Sequence, residues 1–175
     1  MQAMEQSKVI FNDRNGSRLE ISASALTTMN RFRQAEPDQF EAGGILLGRL
    51  IDSTGDLVVD EATVPDKSDR RSRFNFFRSK RVAQQRINSA WRETNQTRNY
   101  LGEWHTHPED CPTPSGHDVE NWKRIVNKSK FEQEALVFVI VGRTTISAWS
   151  LRKGEQRPSQ LQRIVGRKTA KKETE

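Results

Sequence analysis

Residues 102–118 of the chain read Gly-Glu-Trp-His-Thr-His-Pro-Glu-Asp-Cys-Pro-Thr-Pro-Ser-Gly-His-Asp, and they contain all three histidines of the sequence. It begins in a strand predicted over residues 100–106 and continues through a proline-rich loop at 108–114. Ser115 then resembles the N-cap of a helix, whose apolar residues recur at helical spacing. The stretch therefore predicts a strand, a loop and a helix that meet at one place.

Two histidines of this stretch are spaced to act together. Side chains at positions i and i+2 of a strand point to the same side, so His105 and His107 are expected to share a face. Asp118, at the start of the following helix, can complete a set of two imidazoles and one carboxylate. Such a set with an open position is typical of catalytic zinc, whereas a structural site would need a fourth protein ligand.

Four neighbouring residues could also be read as parts of a site. Glu103 lies on the strand face of His105, and we interpret it as a structural or rim carboxylate rather than a ligand. Trp104 alternates away from the ligands and is predicted to lie in the core. His117 is interpreted as a surface histidine, and Cys111 as an unreactive loop thiol rather than a ligand or an inhibitor of the metal.

The rest of the chain predicts an α/β fold with a mixed β-sheet flanked by helices. The elements expected are a hairpin of 8–12 and 18–22 around Asn15-Gly16, a helix over 23–34, strands at 43–51, 56–64 and 73–77, a helix over 80–93, and strands at 135–141 and 144–151. The strand at 135–141 is apolar on both faces and should therefore be central.

Composition favours one compact domain with a short extension. The chain has 175 residues, of which 33% are hydrophobic. Its single cysteine excludes an intrachain disulfide. No apolar stretch approaches the ~20 residues that span a bilayer, and the N-terminus lacks the order of a secretory signal. We therefore expect a cytoplasmic protein with a domain over residues 1–152 and no membrane contact.

The charge is basic, with a formal net charge of +6 and a sequence pI near 9.8. Such a balance favours acidic partners. Part of it lies in a basic C-terminal extension, 153–175, whose last residues, 168–175, are expected to be disordered. This part of the charge includes Arg163, Arg167, Lys168, Lys171 and Lys172.

Residues 70–81 mix basic and aromatic side chains, and three interpretations are open. The mixture can bind nucleic acid through phosphate contacts and stacking. It can be a strand with buried phenylalanines followed by the solvated basic start of a helix, which is the interpretation we favour. It can also form a groove for an acidic peptide tail.

The string His-x-His-Pro, six residues, Ser, two residues, Asp resembles the motif of the JAMM metalloproteases, also called the MPN+ or JAB1 family. Upstream, Glu41-Ala42-Gly43-Gly44 and the apolar run after it look like the family's glutamate and glycine-rich strand. The resemblance spans roughly residues 8–150 and departs at no core position. Its short form is more similar to prokaryotic members than to the large eukaryotic subunits.

The resemblance implies the MPN/JAB (cytidine-deaminase-like) three-layer architecture and a zinc site. His105, His107 and Asp118 would hold Zn²⁺, which lowers the pKa of a bound water to ~7 and polarises the scissile carbonyl. Glu41 would act as the general base that takes the proton from this water and passes it to the leaving amine. Ser115 would donate a hydrogen bond to the developing oxyanion. Glycine at 43 and 44 would let the backbone run close to the site.

The resemblance also implies a peptidase or isopeptidase that cuts at the C-terminus of a conjugated protein modifier. One prokaryotic branch acts in antiphage defence operons, where it removes a nucleotidyltransferase from its targets. We favour such a nucleotidyltransferase over a ubiquitin-like protein as the partner, with an extended tail pairing along a strand edge after Gly43-Gly44. The alternatives are a non-catalytic MPN-type binding module, or a nucleic-acid-associated protein that uses residues 70–81. The oligomeric state stays open.

Overall fold

A computed structural model of the protein describes residues 7–165. The predicted disorder at 168–175 lies outside this range. The elements follow in the order β1 (Val9–Asn12), β2 (Arg18–Ile21), α1 (Ala23–Asn30), β3 (Gly43–Ile51), β4 (Asp56–Ala62), β5 (Arg70–Arg71), β6 (Phe76–Phe77), α2 (Lys80–Glu93), β7 (Asn99–Thr106), α3 (Gly116–Lys128), β8 (Leu136–Val141), β9 (Ile146–Leu151), β10 (Ser159–Gln160) and β11 (Gln162–Ile164).

A nine-stranded mixed sheet dominates the fold, in the order β10-β9-β8-β7-β3-β4-β2-β1-β11. Two pairs of strands, β2 with β4 and β7 with β8, run parallel, and the other neighbours are antiparallel. All six residues of β8 are buried, which confirms the interior strand predicted from its continuous apolar run. The predicted α/β class with a mixed sheet is therefore confirmed.

Helices cover both faces of the sheet and make three layers. On one face α1 buries Ala25, Leu26 and Met29 in a core that includes Trp104 of β7. On the other face α2 and α3 pack on a second core, in which the ring of Trp122 stacks on Phe138 at 4.5 Å between centroids. The three-layer arrangement expected from the resemblance is thus present.

Each helix begins after a serine N-cap. The Oγ atoms of Ser22, Ser79 and Ser115 accept hydrogen bonds from backbone N–H groups in the first turn of α1, α2 and α3. The predicted bounds of α2 are confirmed, but α1 ends at Asn30, four residues before the predicted end. Beyond it the N–H of Phe32 bonds to the carbonyl of Met29, so the helical ladder gives way to tighter turns.

The strand predicted at 73–77 is wrong. Two short strands, β5 and β6, pair with each other in a separate hairpin, residues 70–77. Phe74 is 66% exposed and Phe77 38% exposed, so the interpretation of this stretch as a strand with buried phenylalanines is also wrong. Instead of joining the main sheet, the hairpin lies against the loop before β3, where the carbonyl of Ser72 accepts from the N–H of Glu41.

The strand edge predicted after Gly43-Gly44 is absent. β3 lies between β7, which pairs with residues 43–48, and β4, which pairs with residues 46–51. The first six residues of this mostly apolar run are buried, as expected for a strand covered on both faces. The middle of β3 therefore offers no edge to a peptide.

Residues 159–164 complete the sheet from beyond residue 152. β10 pairs with β9 and β11 pairs with β1, so one short segment meets both outer strands. Between them Leu161 is buried in the core shared with α1. Among residues 7–165, no helix has the length and apolar character that a membrane crossing needs.

Candidate metal centre

Strand β7 and helix α3 bring three predicted ligands together. β7 is held between β3 and β8, and its end carries His105 and His107 on one face. The capped first turn of α3 places Asp118 opposite them. Both histidines are buried and Asp118 is half-buried, so the three side chains line a recess rather than an open surface.

The ligand atoms of the cluster converge on one point. The Nε2 atoms of His105 and His107 lie 3.0 Å apart. Asp118 places Oδ1 at 3.3 Å from Nε2 of His105 and Oδ2 at 3.3 Å from Nε2 of His107. Two imidazoles and a carboxylate at such separations can bind a metal ion, with each residue offering one ligand atom.

The ionised carboxylate of Asp118 makes the cluster suitable for binding a cation. Burial would raise the pKa of Asp118, but hydrogen bonds from His105 and His107 outweigh it and hold this pKa well below its usual range. Burial would lower the pKa of His107, yet the hydrogen bond and charge of Asp118, with the charge of Glu41, raise it overall. A proton and a cation therefore compete for His107, and metal affinity should fall as the pH falls.

Glu41 lies beside the cluster, as the sequence predicts. It precedes β3, is 4% exposed, and has its Oε1 atom 3.7 Å from Nε2 of His107. Burial raises the pKa of Glu41 to about 8, an effect that His107 opposes and that Asp118 and Glu109 reinforce. A carboxyl whose pKa lies near neutrality, next to a metal-binding cluster, is suited to accept and return a proton.

The backbone of Glu41 is held from the β5–β6 hairpin. Its N–H donates to the carbonyl of Ser72 at 2.8 Å, and its carbonyl accepts from Nε of Arg71 at 2.7 Å. The next residue, Ala42, exchanges backbone and side-chain hydrogen bonds with Thr106 of β7. Glu41 is thus fixed between the hairpin and the strand that carries the histidines.

Glycine is required where β3 passes β7. A Cβ atom at Gly43 would lie 2.5 Å from the carbonyl oxygen of Trp104 and 2.6 Å from the ring of Phe76. A Cβ atom at Gly44 would lie 2.3 Å from the carbonyl oxygen of Thr63. The expected close approach is confirmed, and Gly43 pairs directly with His105 across the two strands.

Ser115 forms a capping box with Asp118. Its Oγ accepts from the N–H of Asp118 at 3.1 Å and donates to Oδ2 of the same residue at 2.7 Å. Its N–H donates to Oδ2 as well, at 2.7 Å. A hydroxyl has one hydrogen, so Ser115 orients a candidate ligand here and would have to turn this hydrogen to reach a substrate.

Three of the four neighbouring residues have the predicted surroundings. Trp104 is buried and donates through Nε1 to the carbonyl of Thr63 at 3.0 Å. Glu103 is structural, because its Oε1 accepts from Nε of Arg78 at 2.6 Å and from the Tyr100 hydroxyl at 3.0 Å. His117 is exposed and meets the ring of Phe77 edge-on.

Cys111 is exposed in the 108–114 loop, outside the cluster of His105, His107 and Asp118. The same loop supplies a residue that sequence reasoning missed, Glu109. Its Oε2 lies 3.7 Å from Nδ1 of His107, on the ring side that faces away from the cluster. A carboxylate is one of the common partners of the distal nitrogen of a metal-binding histidine.

A separate cleft lies at the opposite end of the sheet. Its volume is about 610 Å³, and it lies between the β1–β2 turn and residues 132–135. None of the predicted site residues lines it.

Comparison with known proteins gives one family. Residues 22–152 match the model described as prokaryotic homologues of the JAB domain. A Pseudomonas aeruginosa protein named CD-NTase/cGAS isopeptidase is 38% identical over 134 residues, which cover 77% of this chain and 83% of the relative. An Escherichia coli protein of the same name is 32% identical over 143 residues, 82% of this chain and 88% of the relative.

A solved structure agrees at the level of the fold. The solution structure of a protein from Desulfitobacterium hafniense superposes with a TM-score of 0.53 at 21% identity. The match covers 83% of this chain and 88% of that one. At this identity the likeness concerns the architecture alone.

Proposed function

Because the chain belongs to the family of prokaryotic homologues of the JAB domain, we propose that it is a zinc-dependent isopeptidase that releases a conjugated nucleotidyltransferase. The single observation that carries the proposal is the buried Glu41 carboxylate beside the converging His105, His107 and Asp118. The two relatives described above are named isopeptidases, which supports the same reaction class. A binding module would have no use for a buried carboxylate at a metal cluster.

The donor set fits zinc. Bonds of about 2.0–2.2 Å in a tetrahedral shell separate the ligand atoms by about 3.3–3.5 Å. The Nε2 atoms of His105 and His107 lie 3.0 Å apart, and each has one carboxylate oxygen of Asp118 at 3.3 Å, Oδ1 for His105 and Oδ2 for His107, which is close to that spacing. Three protein ligands leave a fourth position for water, which is the arrangement of catalytic rather than structural sites.

The chemistry divides between the metal and the protein. Zinc, when bound, would lower the pKa of a water to ~7 and polarise the scissile carbonyl. Glu41 takes the proton of the attacking water and delivers it to the departing lysine amine. The positive charge at the cluster favours the ionised carboxylate, which is the form that a base needs. Burial of Glu41 keeps bulk water from competing for this proton.

We expect Ser115→Ala to lower kcat more than it raises KM, because an oxyanion donor acts mainly in the transition state. Loss of the capping hydroxyl should also cost about 1 kcal/mol of stability. Steady-state kinetics and the melting temperature, measured on the same samples, separate the two effects.

Ser79→Ala is the matched control for Ser115→Ala. Ser79 caps α2, where its Oγ accepts from the N–H of Val82 at 3.4 Å. It should lose comparable stability and keep kcat. If Ser115→Ala has a lowered melting temperature and a normal kcat, Ser115 is a helix cap and no oxyanion donor.

An extended C-terminal tail needs an edge, and the β5–β6 hairpin offers one. Within residues 7–165 the hairpin is a two-stranded sheet with no third strand. It borders the site, since Ser72 contacts Glu41 and Phe77 contacts His117 at the start of α3. We place the tail along this hairpin, where backbone pairing would lead its last residue to the cluster.

The exposed side chains of the hairpin suit an acidic tail with apolar residues. Arg70 lies over the ring of Phe77 at 5.5 Å, and Arg73 over the ring of Phe74 at 5.2 Å. All four side chains are exposed. The arginines would attract an acidic modifier and speed the encounter, an effect that salt weakens.

The test of the substrate is cleavage of two fusions. One fusion carries the C-terminal tail of a nucleotidyltransferase of the kind in the relatives' name, a CD-NTase. The other carries the tail of a ubiquitin-like protein, and each tail is joined to the same reporter. We expect the CD-NTase fusion to be cut directly after the last residue of the tail, and faster at low salt. Mass spectrometry of the products gives the cut site, with Glu41→Gln as the blank.

Two results would contradict this assignment. Cuts inside unrelated linkers would show a peptidase without the proposed specificity. Intact fusions of both kinds, with zinc-loaded protein and across a range of salt, would remove the deconjugating role.

A further inference from the structure

A buried glutamine joins the three segments that build the site. Gln34 follows α1 and is 1% exposed. Its Nε2 donates to the carbonyls of Gln39 at 3.1 Å and Arg73 at 3.0 Å, and its Oε1 accepts from the Thr106 hydroxyl at 2.9 Å. One side chain therefore contacts the loop before Glu41, the β5–β6 hairpin and the strand between the two histidines.

Thr106 links Gln34 to Ala42, the residue after Glu41. Its side chain lies between those of His105 and His107 in sequence but points to the other face of β7. Its Oγ1 donates to Gln34 and accepts from the N–H of Ala42 at 3.0 Å. The residues on both sides of Glu41 are thus tied to the ligand strand, on one side through Gln34 and on the other through Thr106.

We propose that Gln34 is a positioning residue that holds the Glu41 carboxylate at its working distance from the metal ligands. The inference rests on the proposed function. Glu41 lies in a loop without helix or strand pairing of its own, so its place depends on such tertiary hydrogen bonds. Both polar atoms of the Gln34 side chain have partners, which makes the network rigid as well as buried.

The variant to test is Gln34→Met, which keeps the length of the side chain and removes its amide. With the fusion substrate, kcat should fall roughly 10- to 100-fold while KM and zinc content stay unchanged, since a misplaced base impairs chemistry rather than binding. Gln133→Met is the matched control. Gln133 is 7% exposed and donates to the carbonyl of Tyr100, on the same strand but at the end remote from the cluster.

Hydrogen exchange gives a readout that needs neither metal nor activity. In the metal-free protein, Gln34→Met should speed exchange of the Glu41 and Ala42 amides, which now donate to Ser72 and Thr106. Gln133→Met should leave these two amides at the wild-type rate. If Gln34 has only a structural role, Gln34→Met and Gln133→Met should both lower the melting temperature, and exchange of the Glu41 and Ala42 amides should not differ between them.

Thr106 supplies a rescue test of the same connection. Thr106→Val keeps the shape and removes the hydroxyl, so it should lower kcat as Gln34→Met does. In the double variant the two losses of kcat should not add, because both variants break the same connection. Thr106→Ser keeps the hydroxyl and should retain kcat.

Several outcomes overturn the inference. The first is a wild-type kcat in Gln34→Met, and the second is a loss of kcat in Gln133→Met that equals the loss in Gln34→Met. The third is an unchanged exchange rate of the Glu41 and Ala42 amides in Gln34→Met. A wild-type protein that cleaves neither fusion contradicts the proposed function instead, and the exchange rates then still decide whether Gln34 holds the Glu41 loop.

Discussion

The Glu41→Gln variant is expected to keep its zinc and its melting temperature and to lose about 10²–10⁴-fold in turnover, the usual contribution of a general acid–base group. The amide fills the same buried space beside His107 but cannot take a proton. Because Glu41 is proposed as a base and not a ligand, metal content should not change. Single-turnover cleavage of the fusion, with metal analysis of the same preparation, measures both quantities.

Glu109→Gln is the matched control for this variant. Both carboxylates lie 3.7 Å from a ring nitrogen of His107, Glu41 at Nε2 and Glu109 at Nδ1. Only Nε2 faces the cluster, and Glu109 is half exposed. Glu109→Gln should therefore lose much less activity than Glu41→Gln. A wild-type rate in Glu41→Gln, or an equal loss in Glu109→Gln, would place the base elsewhere.

Removal of a ligand is expected to abolish both metal and activity. Wild-type protein should hold about one zinc per chain, and His107→Ala or Asp118→Ala should hold almost none, because two remaining ligands do not retain zinc tightly. Atomic absorption on dialysed protein measures the content. The cleavage rate should fall to the background of the metal-free protein.

Two further variants control for folding and position. Asp118→Ala also removes half of the capping box, so Asp118→Asn, which keeps an acceptor for Ser115, separates loss of the ligand charge from loss of the cap. His117→Ala alters an exposed histidine outside the cluster and should keep zinc. Unchanged zinc in both His107→Ala and Asp118→Asn would contradict the assignment of the ligands.

The parts of the site that follow from local rules were predictable. Strand alternation placed His105 and His107 on one face, and the serine cap placed Asp118 in the first turn of a helix. Trp104 was expected in the core from the same alternation. Glu41 was found only through the resemblance to the family's upstream glutamate and glycine-rich strand, because a glutamate before an apolar strand has no signal of its own.

The parts that depend on distant contacts were not predictable. Gln34 was predicted as the last residue of a helix, yet one of its partners lies 72 positions away, at Thr106. The prediction of a free strand edge after Gly43-Gly44 did not hold for the middle of β3, because pairing partners are set by topology and not by the apolar run itself. The prediction of a strand at 73–77 was wrong for a similar reason, since aromatic spacing does not show whether a strand joins the main sheet.

Intact-mass analysis of a conjugate in which a CD-NTase tail is joined to a lysine side chain shows whether the protein is a metal-dependent isopeptidase. Wild-type protein with zinc should release the tail with a free carboxylate and restore the lysine amine. Protein stripped of metal should leave the conjugate intact, and added zinc should restore cleavage. Cleavage by protein shown to be free of metal, or an intact conjugate after incubation with the zinc-loaded protein, would contradict a metal-dependent isopeptidase.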